Sequence, residues 1–226
     1  MNYEHSEIAI TKSLFKTGAR VSIIQSVLFL IIAFSALGLG IDRFISDGFE
    51  SMYRANSWLF LLLCGAFILI ATLGVAITPA EKKLINKYDS GLAAWGSNLA
   101  FFGHMGTIAF FTWWIFFVSL NQDTQTSQVS ANMIMPIRWG VMFELFFVGL
   151  WVWIIAYIVF KHGILSKGFL VISVLKAISF WLAFAAFIVN SKLFLLLGVG
   201  LVAVVFGPLW HAWIAVIFLR YDYDNM

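Results

Sequence analysis

Polar residues are sparse along this chain, and where they cluster they cut it into pieces of similar size. Near-continuous apolar runs cover 21–41, 57–78, 91–120, 139–160, 168–189 and 193–219. A helix needs about 20 mainly apolar residues to cross the hydrocarbon core of a bilayer, so these runs predict transmembrane helices. None alternates residue by residue, as the strands of a membrane barrel would. The predicted fold class is all-α: a polytopic membrane protein, a bundle of six transmembrane helices forming one domain over 1–226. The run at 91–120 is long for one crossing and predicts tilt or projection into the interface. The run at 21–41 exceeds the about 7–15 apolar residues of a signal-peptide core and reads as a retained span.

The breaks are short and polar. Pro79 reads as the close of the second span, ahead of "AEKKLINKYDSG". "NQDTQTSQVSANMIM" reads as a mobile loop between the third and fourth spans. Asn190 and Ser191 leave only a tight turn, which makes spans five and six antiparallel neighbours.

Composition agrees with lipid as the solvent. The chain is 62% hydrophobic and 11% charged, with a mean hydropathy of +0.95. Soluble domains are about 45–50% apolar and about 25% charged. The net charge of +3 sits in short basic clusters at span ends, which excludes a nucleic-acid surface. Cys64 stands alone inside an apolar run and forms no internal disulfide.

Lys and Arg are distributed unevenly between the two faces. Nine fall on one side, in the N-terminal segment, the 82–87 and 161–167 connections and at Arg220; four, Arg43, Arg54, Arg138 and Lys192, fall on the other. This bias predicts cytoplasmic termini and a cell membrane location, with a bacterial inner membrane expected. Lys12, Lys16 and Arg20 recur every four residues ahead of span one. They form either an ordinary basic flank or an interfacial stripe that touches anionic lipid headgroups. Trp58, Trp113, Trp114, Trp139 and Tyr157 fall where interfacial aromatics belong.

Four titratable residues lie well inside spans: His104, Glu144, Lys176 and His211. A charge at mid-bilayer costs about 2.5–3.5 kcal/mol on the insertion scale, so such groups should face protein or trapped water. Helical spacing supports this. Gly96, Ala100, Gly103 and Thr107 form a small-residue stripe beside His104. Gly200, Ala203, Gly207, His211 and Ala215 share a face of span six, where Pro208 predicts a kink that strands the carbonyl of Val204. Ser173, Lys176 and Ser179 form a polar stripe on span five. By helical rise, Lys176 and His211 lie at similar depth, and Glu144 is about 12 Å from Lys176.

The sequence carries no phosphate-binding loop, dinucleotide fingerprint or Cys-x-x-Cys, and spacing places no acid deep beside either histidine. His104, His211 and Glu144 are too few ligands to predict a metal. No cofactor is predicted, although His104 and His211 admit a haem as an alternative; their depth difference of about 7 Å counts against it. Spans one to three and four to six run in opposite senses, as transporter repeats do, but "FFGHMG" and "FGPLWHAW" match only loosely.

The segment 157–175, "YIVFKHGILSKGFLVISVL", resembles the helix end, basic-Gly turn and new helix of a bacterial family of six-span integral membrane proteins of unknown function. Ser166 stands where that pattern has proline. The resemblance implies topology and assigns no site residues.

Three classes remain open. One is a small transporter or proton-linked carrier using His104, Glu144, Lys176 and His211, with Thr107, Ser173 and Ser179 as secondary polar lining. The second is a non-catalytic subunit or scaffold within a homo-oligomer or with other membrane subunits. The third is a membrane-embedded haem or redox protein. Whether the protein is an enzyme stays open, with the absence of a catalytic motif favouring none.

Overall fold

A computed structural model describes the backbone of residues 2–40, 48–120 and 127–221, and the side chains within 7–40, 52–116 and 141–221. Among the described residues there are helices and turns but no strand. The helices are α1 (Asn2–Leu39), α2 (Gly48–Ala55), α3 (Ser57–Asn86), α4 (Ser90–Leu120), α5 (Ser127–His162) and α6 (Lys167–Val189), then α7 (Lys192–Gly200) and α8 (Gly207–Leu219). A π-helical turn, Leu201–Phe206, joins the last two into one crossing. Six crossings are thus long and apolar enough to span a membrane, as predicted.

The crossings form a closed ring. α3 lies between α1 and α4; α4 touches α5, α5 touches α6, and α6 touches α7. α8 then returns to α1, where Phe15 stacks on Phe218 with ring centroids 5.0 Å apart. Large apolar side chains cover the outside: Phe34, Trp58, Phe102 and Phe160 are each more than 60% exposed. In water that surface would be a liability; against acyl chains it costs nothing.

Local chemistry sets the boundaries. Asn56 caps α3 by accepting from the Leu59 amide, and Ser166 caps α6 by accepting from Phe169. Between α5 and α6 the chain turns at Gly163, whose φ of +62° is easy only for glycine. Asn190 takes the left-handed conformation that ends α6, and Ser191 then caps α7, so the two are antiparallel neighbours.

The structure departs from the sequence reading at several elements. α3 does not stop at Pro79 but runs on to Asn86. Proline inside a membrane helix is tolerated where the freed backbone groups find other partners. Burial of Ala80, Glu81, Leu84 and Ile85 against the bundle holds the extra turns in place. The predicted loop at 121–135 is partly helix, since α5 starts at Ser127; no Gly or Pro interrupts 127–135. Residues 121–126 lie outside the described residues, as do the side chains of Arg43, Arg138 and Trp139. Lys12, Lys16 and Arg20 stand on α1 itself, which is continuous from Asn2 and has no separate interfacial helix. Trp114 is buried within the bundle. The expected kink at Pro208 is the π turn before it: the Gly207 amide reaches Val202, five residues back, and the widened helix accommodates the proline ring.

Candidate functional site

The ring encloses a cavity of about 80 Å³, room for a few water molecules, with mostly apolar walls. His104, Thr107, Glu144, Lys176 and His211 all reach that wall, and so do Gln25 and Glu81. The expected intramembrane titratable groups therefore share one compartment.

Two polar rungs cross it. In the first, His104 of α4 donates from Nδ1 to Oε1 of Glu144 on α5 at 2.9 Å. The hydroxyl of Thr107, one turn along α4, donates to the other carboxylate oxygen at 2.9 Å. Both oxygens of Glu144 are thus satisfied, which is what a carboxylate inside a membrane requires. His104 is the acid's neighbour that spacing failed to reveal. Its ring lies flat against Gly74 of α3, where any Cβ would overlap the imidazole. The small-residue stripe on α4 makes the rung reachable: Gly96 faces Trp151 and Ile154, and Gly103 faces Phe147 and Val148. This lets α4 and α5 approach closely.

The second rung was not foreseen. Glu81 is 3% exposed and accepts from the indole Nε1 of Trp151 at 2.6 Å. Glu81 follows Gly74 by seven residues on α3, and Trp151 follows Glu144 by seven on α5. The rungs are therefore two turns, about 10 Å, apart along the bundle. The periodic run Gly74, Ile77, Glu81 was the available signal, hidden by reading Pro79 as a stop.

Lys176 of α6 reaches the same cavity. It is 2% exposed and donates to Nε2 of His211 at 3.1 Å. The ammonium sits 3.8 Å from the Trp210 ring centroid, and Phe29 and Phe180 face it at 5.6 and 5.8 Å. Aromatic faces thus replace part of its hydration. With an ammonium as donor, His211 Nε2 must accept, so the ring hydrogen is assigned to Nδ1. That nitrogen is buried with no hydrogen-bond partner. The amide of Gln25 donates to the Ile70 carbonyl at 3.0 Å, while its oxygen is also buried and unpartnered. One orphan donor and one orphan acceptor therefore border the cavity.

Glu144 pairs with His104 and Thr107 and not with Lys176. Ser173 and Ser179 lie off the cavity wall, their hydroxyls bonded back to Phe169 and Leu175 on their own helix. Ser173 also accepts from the Trp210 indole at 2.9 Å, which steadies the ring over Lys176. Trp181 is 45% exposed and does not line the cavity, whereas Trp151 and Trp210 do.

These features define a multi-pass membrane protein with a buried, titratable compartment at its centre. No family model, curated protein or solved structure matches the chain.

Proposed function

We propose that the protein is a small proton-linked carrier whose substrate site is the central cavity. The observation that supports this reading is the convergence of Glu81, His104, Glu144, Lys176 and His211 on one enclosed space. Ionisable groups inside a membrane are costly, and their default reading is functional. Two carboxylates, one ammonium and two imidazoles can hold or release protons at small cost in net charge. The unpartnered Nδ1 of His211 and Oε1 of Gln25 offer a donor and an acceptor to a small polar solute. Glu81 lies nearest the end of the bundle where Lys82 and Lys83 emerge, which this reading takes as the cytoplasmic face.

The test uses vesicles containing the purified protein and a pH-sensitive dye. An imposed pH gradient with a panel of small polar solutes should give solute-dependent proton movement. Glu81→Gln keeps an acceptor for Trp151 but removes the charge, and should abolish that movement with the fold intact. Lys176→Met should do the same. If no solute moves protons and Lys176→Met is neutral or stabilising, the polar groups only set helix register and the scaffold reading replaces this one.

A further inference from the structure

A second cavity opens at the basic end of the bundle, apart from the titratable compartment. It measures about 370 Å³ and is bounded by the end of α3, the turn between α5 and α6, and the end of α8. That size falls within the roughly 300–1,000 Å³ of ligand sites. Its polar wall carries two exposed cations, Lys87 and Arg220, and the hydroxyls of Tyr88, Ser166 and Tyr221. Its remaining wall is apolar, with Leu84, Ile164, Trp213 and Ile217 among its members. Trp213 is fixed edge-on over Gly168, where a Cβ would meet the ring at 2.7 Å.

The two halves of this wall ask for different chemistry from one molecule. Two cations and three hydroxyls suit a phosphate, whose oxygens accept from both kinds of donor. The apolar half offers nothing to a phosphate and suits an acyl chain. The position, at helix ends and not at mid-span, is the level of lipid headgroups. Partial burial works against the charge on Lys87, but the neighbouring Tyr221 and Tyr88 outweigh it and hold the ammonium above its ordinary value. An exposed lysine is cationic at neutral pH in any case.

We infer that this cavity is a binding site for an anionic phospholipid, its phosphate held between Lys87 and Arg220 and its chain laid on the apolar wall beside Trp213. The site is distinct from the Lys12, Lys16 and Arg20 stripe, which forms no part of the cavity. It is walled by the ends of α3 and α8 and by the α5–α6 turn, so an occupied site ties these three segments together at the basic end of the bundle.

Native mass spectrometry of the detergent-purified protein tests it, with phosphatidylglycerol and phosphatidylcholine of identical chains as probes. The wild type should retain phosphatidylglycerol selectively. The Lys87→Gln, Arg220→Gln double variant should bind it about thirtyfold more weakly, the effect of two basic residues near a membrane surface. A Lys82→Gln, Lys161→Gln double variant, which removes the same charge outside the cavity, should bind like the wild type. If the neutral double variant unfolds, the exchanged pair Lys87→Arg, Arg220→Lys keeps the charge and should keep the lipid. Equal retention of the two lipids by the wild type, or equal weakening by both neutral double variants, overturns the site. Displacement of phosphatidylglycerol by inorganic phosphate at a similar concentration also overturns the lipid assignment, in favour of a free anion.

Discussion

His104 owes its position to a missing methyl. Gly74 leaves room for the ring whose Nδ1 meets Glu144, and a Cβ there would overlap three ring atoms. Gly74→Ala should therefore push the imidazole away and break the rung. The expected loss is about 1–3 kcal/mol, the usual cost of overpacking, read as a lower melting temperature in detergent. This dependency was invisible in the sequence, where Gly74 is one small residue among many on an apolar span. The intramembrane position of His104, Glu144, Lys176 and His211 was legible, because a polar letter in a membrane-length run has few places to go. Their partners were not. The residues of each pair lie 40 and 35 positions apart, and helical rise gives depth but not azimuth. Depth sufficed for Lys176 and His211 and kept Glu144 apart from Lys176, but it did not show that Glu144 meets His104.

At the scale of the element, α3 and α7 carry the lessons. Pro79 is a reliable stop in water, but inside a packed bundle tertiary burial of the following turns outweighs one lost hydrogen bond. The same error that shortened α3 concealed Glu81. α7 is short and meets α6 at Gly198, where a Cβ would strike the Ala183 backbone. Gly200, two residues on, has open space around it. Gly198→Ala should cost about 1–3 kcal/mol by forcing the helices apart. Gly200→Ala should be neutral or stabilise by up to about 1 kcal/mol, since alanine favours helix. Thermal unfolding of the two variants side by side checks the contrast. If both behave alike, close approach of α6 and α7 at Gly198 is not what stabilises this corner.

At the scale of the whole molecule, the cavity exists because the ring closes, and the ring closes only between its first and last crossings. Phe218 is 1% exposed and stacked on Phe15, so its removal should loosen that seam directly. Phe218→Ala should cost about 3–5 kcal/mol. It should also make Gln25 and His211, which face the cavity from α1 and α8, more accessible to water, as hydrogen exchange or water-soluble labelling would report. Six spans and their order could be read from hydropathy alone. Closure could not, because nothing in a linear pattern says that its two ends meet.

That seam also sets a timetable. Spans enter a membrane in the order they are synthesised; α1 can pack on α3 early, but the side of it that meets α8 must wait for the last crossing to emerge. Until then Ser26, whose hydroxyl donates to the Pro208 carbonyl at 2.9 Å in the finished bundle, lacks that partner, while Gln25 can already reach Ile70 on α3. Synthesis interrupted before Gly207 would leave a half-built barrel of helices with that face exposed, a product that quality-control proteases can tell from the finished bundle by one unpaired seam.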